Sequence, residues 1–138
     1  MIILEESHTD VITEMQCVKG NERVESTTIT SCIVILGLNA ERRINAAHLL
    51  VNATYANLQV VLDDLKELFS GCSNIVVLGQ LDFWDPVILN QIRSSIGVTG
   101  VFNRSEGQYI VSANVSSDSL EVFVDGETVT FGEWSRVF

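Results

Sequence analysis

The fold is decided by residues 27–51, which read TTITSCIVILGLNAERRINAAHLLV. The β-branched and apolar run Thr27–Leu36 and the returning run from residue 44 to residue 51 predict an antiparallel hairpin around a charged turn. A loop centred on Ala40 places Cys32 directly opposite His48, with their Cβ atoms about 4.5–5.5 Å apart. A thiol beside an imidazole is the minimum apparatus of cysteine nucleophile chemistry.

The rest of the chain predicts one α+β domain over residues 1–138. Apolar residues make up 46% of the sequence and the mean hydropathy is +0.28, which excludes a disordered chain. An apolar stripe predicts a helix over Tyr55–Phe69, and the pair Asp85-Pro86 predicts the start of a second helix. Further predicted strands are Ile2–Leu4, segments within Val11–Val18, Asn74–Gly79, Val98–Phe102, Gln108–Val115, Leu120–Val124 and Thr128–Phe131. We therefore expect a layered sandwich of a mostly antiparallel sheet with two main helices.

Composition narrows the classes of partner and compartment. The formal net charge is −10 and the isoelectric point is about 4.4, which disfavours nucleic acid as a partner. No apolar run approaches the roughly 20 residues of a membrane-spanning helix, and no basic segment precedes the short apolar stretch at the start. We expect no membrane insertion and a cytoplasmic location; the alternative is an exported effector whose signal is not readable. The oligomeric state is not indicated.

The three cysteines and two histidines argue against a disulfide framework and a metal site, and no cofactor is implied. Cys32 is singled out because His48 lies on the neighbouring strand, whereas Cys17 and Cys72 have no comparable partner. The hydroxyls of Ser26, Thr28 and Thr30 share the face of Cys32 on an alternating strand. The alternative interpretation is that the cysteine and the histidine are both core side chains.

The segment Thr30-Ser31-Cys32-Ile33-Val34-Ile35, the basic turn Arg42-Arg43 and the segment Ala46-Ala47-His48-Leu49-Leu50 resemble the signature of the CheD chemoreceptor glutamine deamidases. The same pair of residue types occurs in deamidase toxins of the cytotoxic necrotizing factor type. The resemblance implies a bacterial protein with a CheD-like domain, acting on a protein substrate that bears an exposed glutamine. Cys32 would attack the carboxamide and His48 would serve as base and acid.

CheD proteins carry a threonine six residues before the cysteine, where this chain has Ser26 followed by Thr27. Both are therefore candidate site residues beside the Cys32/His48 dyad. The chain departs from the CheD pattern at Thr30, where glycine is usual, and lacks the proline that follows the histidine. Three alternatives stay open: another cysteine hydrolase or a transglutaminase, a catalytically inactive interaction module on the same fold, and a purely structural domain.

Overall fold

Two β-sheets and three helices make up the computed structural model, which describes residues 1–104 and 107–134. In chain order the strands are β1 (Glu5–Glu6), β2 (Val11–Ile12), β3 (Gln16–Asn21), β4 (Arg23–Ser26), β5 (Ile33–Leu38), β6 (Ile44–Leu49), β7 (Ser73–Gly79), β8 (Gly100–Asn103), β9 (Val111–Ser116), β10 (Ser119–Val124) and β11 (Glu127–Thr128). The helices are α1 (Val51–Ala56), α2 (Leu58–Leu68) and α3 (Pro86–Ile96), with a single 3₁₀ turn at Leu81–Phe83. The α+β class is confirmed.

The strands divide into a first sheet of order β1-β3-β6-β5-β7-β8 and a second sheet of order β11-β10-β9-β4-β2. Most neighbours pair antiparallel; β1–β3, β2–β4 and β7–β8 pair parallel. The prediction of one main sheet was therefore wrong, because the structure has two sheets. Strand β4 was not predicted, because its four residues carry too little alternation to be recognised in sequence, whereas β2 lies within the segment predicted over Val11–Val18.

The first sheet is the middle of three layers, with the helices on one face and the second sheet on the other. One apolar cluster joins the helices to Ile33, Ile35 and Val77. The other joins Val34 and Leu36 to residues of the second sheet. Strands β5 and β6 are consequently buried along their whole length, which explains why β5 is apolar throughout and β6 carries only Asn45 and His48 as polar residues.

The helices follow the sequence signals closely. The carboxylate of Asp85 accepts a hydrogen bond from the Val87 N–H at 2.8 Å, Pro86 occupies the first turn, and Gly97 ends α3 in the left-handed conformation. The helix predicted over Tyr55–Phe69 is found as α2, except that the chain leaves helical geometry at Asn57 and Tyr55 belongs to the separate α1. No helix in the described ranges has both the length and the apolarity needed to cross a bilayer.

The hairpin of β5 and β6 forms, but two residues away from the predicted register. Val34 lies opposite His48, and Leu38 lies opposite Ile44. The loop is centred on Glu41 rather than Ala40, and the strand begins at Ile33 rather than Thr27. Because side chains alternate with a period of two, a shift of two residues keeps Cys32 and His48 on the same face.

The chain start is attached to α2 by one buried carboxylate. Asp64 accepts the N–H of Ile2 at 2.9 Å, of Ile3 at 2.7 Å and of Leu4 at 2.9 Å. Burial alone raises the pKa of this carboxyl, but the hydrogen bonds from the three backbone N–H groups outweigh it, and the pKa of Asp64 is lowered. The ionised carboxylate therefore holds the segment that leads into β1.

Asp64→Asn is expected to lower the free energy of unfolding by about 2–3 kcal/mol. The amide of asparagine has one acceptor oxygen instead of two, so it cannot accept all three N–H groups at the chain start as the carboxylate does. Urea denaturation at neutral pH measures the loss. The matched control is Asp63→Asn, since Asp63 is exposed and, within the described ranges, accepts a single surface hydrogen bond from Gln59. Equal effects of the two substitutions would show that the Asp64 hydrogen bonds contribute no stability. The contribution of Asp64 is present above the unfolded carboxyl pKa and is lost as the pH falls through its lowered folded pKa.

Candidate functional site

Cys32 and His48 lie between the two sheets, at the end of the first sheet where β5 begins. Cys32 is the residue immediately before β5 and is 3% exposed; His48 is the fifth residue of β6 and is fully buried. The two are diagonal neighbours rather than directly opposed, because Val34 occupies the position opposite His48. Diagonal neighbours lie about 7–8 Å apart across an antiparallel pair.

The imidazole is oriented by a backbone carbonyl of the second sheet. Nδ1 of His48 lies 3.2 Å from the carbonyl oxygen of Ile12 in β2. A carbonyl oxygen only accepts hydrogen bonds, so Nδ1 carries the proton and the neutral ring keeps its lone pair on Nε2. Among the described residues nothing hydrogen-bonds Nε2, although it is buried. The ring thus presents an unused proton acceptor within the site.

Thr27 holds the Ile12 carbonyl, and Ser26 bonds the backbone of β9 rather than the imidazole. Ser26 pairs with Ile12 across β2 and β4, and its Oγ accepts the Val111 N–H at 3.0 Å. The N–H of Thr27 donates to the same Ile12 oxygen at 3.0 Å. The structure therefore brings all four predicted residues into one region, where Thr27 acts on His48 through the Ile12 carbonyl and Ser26 joins β4 to β9.

The charge state of the pair follows from its burial. Burial raises the pKa of the Cys32 thiol to about 11, and the carboxylate of Glu14 acts in the same direction. Burial lowers the pKa of His48, against smaller opposing effects of the Ile12 carbonyl and of Glu14. At neutral pH the site therefore holds a thiol and a neutral imidazole rather than a thiolate–imidazolium ion pair.

The backbone around Cys32 is held by two further contacts. Trp84 donates its indole N–H to the Ser31 carbonyl oxygen at 2.7 Å. Gly79, at the end of β7, lies so close that a Cβ built there would stand 2.7 Å from the Cys32 carbonyl oxygen. Within the described part of the chain no hydrogen bond takes the N–H of Cys32, which lies outside the β5 ladder. This amide therefore keeps an unused donor next to the buried Cys32 side chain.

Sequence reasoning missed the Ile12 carbonyl and Trp84. A backbone carbonyl has no side-chain signature, and Ile12 is 36 residues from His48 in the chain. Trp84 lies 53 residues from Ser31 and reads as an ordinary core aromatic. Among the described residues no three histidine, cysteine or carboxylate side chains come together as a metal centre requires.

Comparisons with known proteins identify no relative of this chain. No protein-family model, no curated protein and no solved structure matches the chain.

Proposed function

We propose that the protein is a protein-glutamine deamidase that uses Cys32 as nucleophile and His48 as general base and acid. The observation that carries the proposal is the His48 ring, which shares a sheet face with Cys32: its Nδ1 is fixed by the Ile12 carbonyl, and its Nε2 has no hydrogen-bond partner among the described residues. A base held in one tautomer by a third group is the arrangement that nucleophilic catalysis requires.

The reaction proceeds in two steps. His48 Nε2 takes the Cys32 proton while Sγ forms a bond to the side-chain carbonyl carbon of glutamine. The C–N bond then breaks, and the imidazolium returns the proton to the departing ammonia. Water, deprotonated by the same Nε2, attacks the thioester and releases glutamate and the Cys32 thiol. One water is consumed and one ammonia is formed, without any change in oxidation state.

The proton is transferred when substrate arrives, because the resting pair is neutral. The raised pKa of Cys32 and the lowered pKa of His48 both favour the uncharged state. The unpaired N–H of Cys32 would donate to the oxyanion that forms on the carboxamide oxygen. The Ile12 carbonyl would stabilise the imidazolium, since it faces the Nδ1 proton.

Substrate would reach the pair from the loop that precedes β5. Thr28 and Thr30 are exposed there and Ser31 is half-buried, whereas Cys32 is 3% exposed. The carboxamide of glutamine is narrow, and its flexible stem suits a buried nucleophile at the end of a short passage. Productive binding requires this loop to shift and the Cys32/His48 pair to tighten, as catalytic contacts do when substrate binds.

The experiment measures ammonia release from three probes: carbobenzoxy-glutaminylglycine, unfolded casein and the cytoplasmic domain of a bacterial chemoreceptor. Mass spectrometry of the protein probes identifies glutamine converted to glutamate. A labelled primary amine is added in a parallel series, because its incorporation identifies a transglutaminase instead. Ammonia at the level of heat-inactivated protein for all three probes would contradict the proposal.

The burial of the dyad favours a second candidate, an interaction module on a catalytically inactive deamidase fold. His48 is fully buried, and its Nε2 does not hydrogen-bond the Cys32 thiol in the described residues. In this candidate both side chains serve only packing. Partner binding that survives Cys32→Ala and His48→Ala, together with absent ammonia release, would establish it over the deamidase.

A further inference from the structure

Trp84 contacts the peptide group that precedes the Cys32 nucleophile. It follows the 3₁₀ turn Leu81–Phe83 and lies just before α3. The side chain is 3% exposed, and its indole N–H donates to the Ser31 carbonyl oxygen at 2.7 Å. This distance is short for an N–H···O bond, so the contact is a well-formed one.

The Trp84 side chain is itself held in place from two directions. Its ring meets the Tyr55 ring edge to face, with the centroids 5.8 Å apart and an angle of 78°. The Tyr55 hydroxyl in turn accepts the Asp85 N–H at 2.6 Å. The main-chain N–H of Trp84 donates to the Leu81 carbonyl oxygen at 3.0 Å. The indole therefore has little freedom to leave the Ser31 carbonyl.

The Ser31 carbonyl and the Cys32 N–H belong to one planar peptide group and point in opposite directions. A donor that fixes the carbonyl therefore fixes the direction of the N–H as well. Hydrogen bonding to the carbonyl also polarises the peptide and strengthens the N–H as a donor. Because the Cys32 N–H has no partner in the described residues, this effect is available to a bound oxyanion.

We infer that Trp84 is a positioning residue that aims the Cys32 N–H at the oxyanion formed on the glutamine carboxamide. The inference rests on the proposed deamidation, because attack of Cys32 on the glutamine carboxamide places negative charge beside this amide. Gly79 supports the next peptide group, Cys32–Ile33, because its missing Cβ lets β7 approach the Cys32 carbonyl oxygen. Cys32 thus lies between two held peptide groups, one bonded by Trp84 and the other packed against β7.

The test compares Trp84→Phe with Trp134→Phe in the deamidation assay. Trp134 is a matched control, because it is 6% exposed and donates its indole N–H to Asn90 Oδ1 at 3.1 Å, outside the dyad. We expect Trp84→Phe to lower kcat about tenfold with little change in KM, since a misdirected oxyanion donor weakens transition-state binding alone. Trp134→Phe should leave kcat near that of the wild type.

A second variant separates the lost N–H from lost packing. Replacement of Trp84 by β-(3-benzothienyl)alanine keeps the bicyclic shape and puts sulfur in place of the N–H. It should show the same drop in kcat as Trp84→Phe. The amide proton resonance of Cys32 should shift in both Trp84 variants and stay unchanged in Trp134→Phe.

An unchanged kcat in the benzothienyl variant, or equal losses in the Trp84 and Trp134 variants, would overturn the positioning role. An unshifted Cys32 amide would do the same. A wild-type protein without deamidase activity but with the expected amide shifts would instead overturn the proposed function and leave Trp84 as the residue that holds this peptide. The two failures are therefore distinguishable.

Discussion

Cys32→Ser is expected to lower ammonia release from glutamine by about 10³-fold or more, while the protein stays folded. Serine keeps the size and a hydrogen-bonding group, but its hydroxyl is a far weaker nucleophile than sulfur. The dyad is poorly equipped to activate it, because Nε2 of His48 makes no hydrogen bond to the residue at position 32 in the resting structure. Initial rates of ammonia release, with substrate well above KM, measure the loss.

Cys72→Ser is the matched control for this substitution. Cys72 is the more exposed of the two thiols, being half-buried in the turn between α2 and β7. Burial raises its pKa as it raises that of Cys32, but Cys72 packs against the apolar cluster on the helix side of the first sheet, whereas Cys32 belongs to the cluster between the two sheets. Cys72→Ser should keep full activity. A Cys32→Ser protein as active as the wild type would remove Cys32 from the mechanism.

The sequence correctly placed Cys32 and His48 on the same face of the hairpin, although the predicted register was wrong by two residues. The loop that closes the hairpin has five residues, Asn39–Arg43, and the Asn39 side chain accepts the N–H of Glu41 and of Arg43. Arg42 adopts φ 62°, a left-handed conformation that composition does not reveal. The loop centre therefore moved by one residue and the register by two, which preserved the face but made the pair diagonal.

The ends of α3 and the hairpin turn at Asp125-Gly126 were predictable because their signals are local. Asp125 and Gly126 both adopt positive φ, as a two-residue hairpin turn requires. The second sheet and the orientation of His48 were not predictable, because both depend on contacts between distant segments. The decisive atom is the Ile12 carbonyl oxygen, which any residue type at position 12 would supply.

The burial of the site also could not be predicted from the sequence. A cysteine–histidine pair has the same spacing in the chain whether it is buried or exposed at the end of its strand. Only the packing of β2 and the loop before β5 over the first sheet decides that Cys32 is 3% exposed. Burial in turn sets the protonation of both groups, so the same contacts that hide the dyad determine how it would react.

His48→Gln is expected to lower ammonia release by about 10²–10⁴-fold. Glutamine occupies a similar volume and can still donate to the Ile12 carbonyl, so the contact between the sheets is retained. It cannot take up the Cys32 proton. Because general base and nucleophile act as one unit, the double variant Cys32→Ser/His48→Gln should be about as inactive as either single variant. Additive losses would show that the two residues do not act together.

The pH dependence of stability provides a readout of His48 that needs no substrate. Burial lowers the pKa of His48 below 6.5 in the folded protein. At a pH between this lowered folded pKa and 6.5, the unfolded chain therefore binds a proton that the folded protein does not. Unfolding free energy therefore rises with pH across this window. His48 contributes its stability above pH 6.5 and loses it as the pH falls through the lowered folded pKa. The slope from one proton is at most about 1.4 kcal/mol per pH unit.

Urea denaturation between pH 5 and 7.5 should show a smaller slope for His48→Gln than for the wild type. His8→Gln is the matched control, because His8 is exposed and is the one other histidine of the chain. Activity of the wild type should fall over the same acidic range, since deamidation requires neutral His48 as base. An activity limb centred above pH 6.5 would contradict the neutral resting pair and favour a thiolate–imidazolium dyad. An unchanged slope in His48→Gln would show that the buried ring does not titrate as its environment requires.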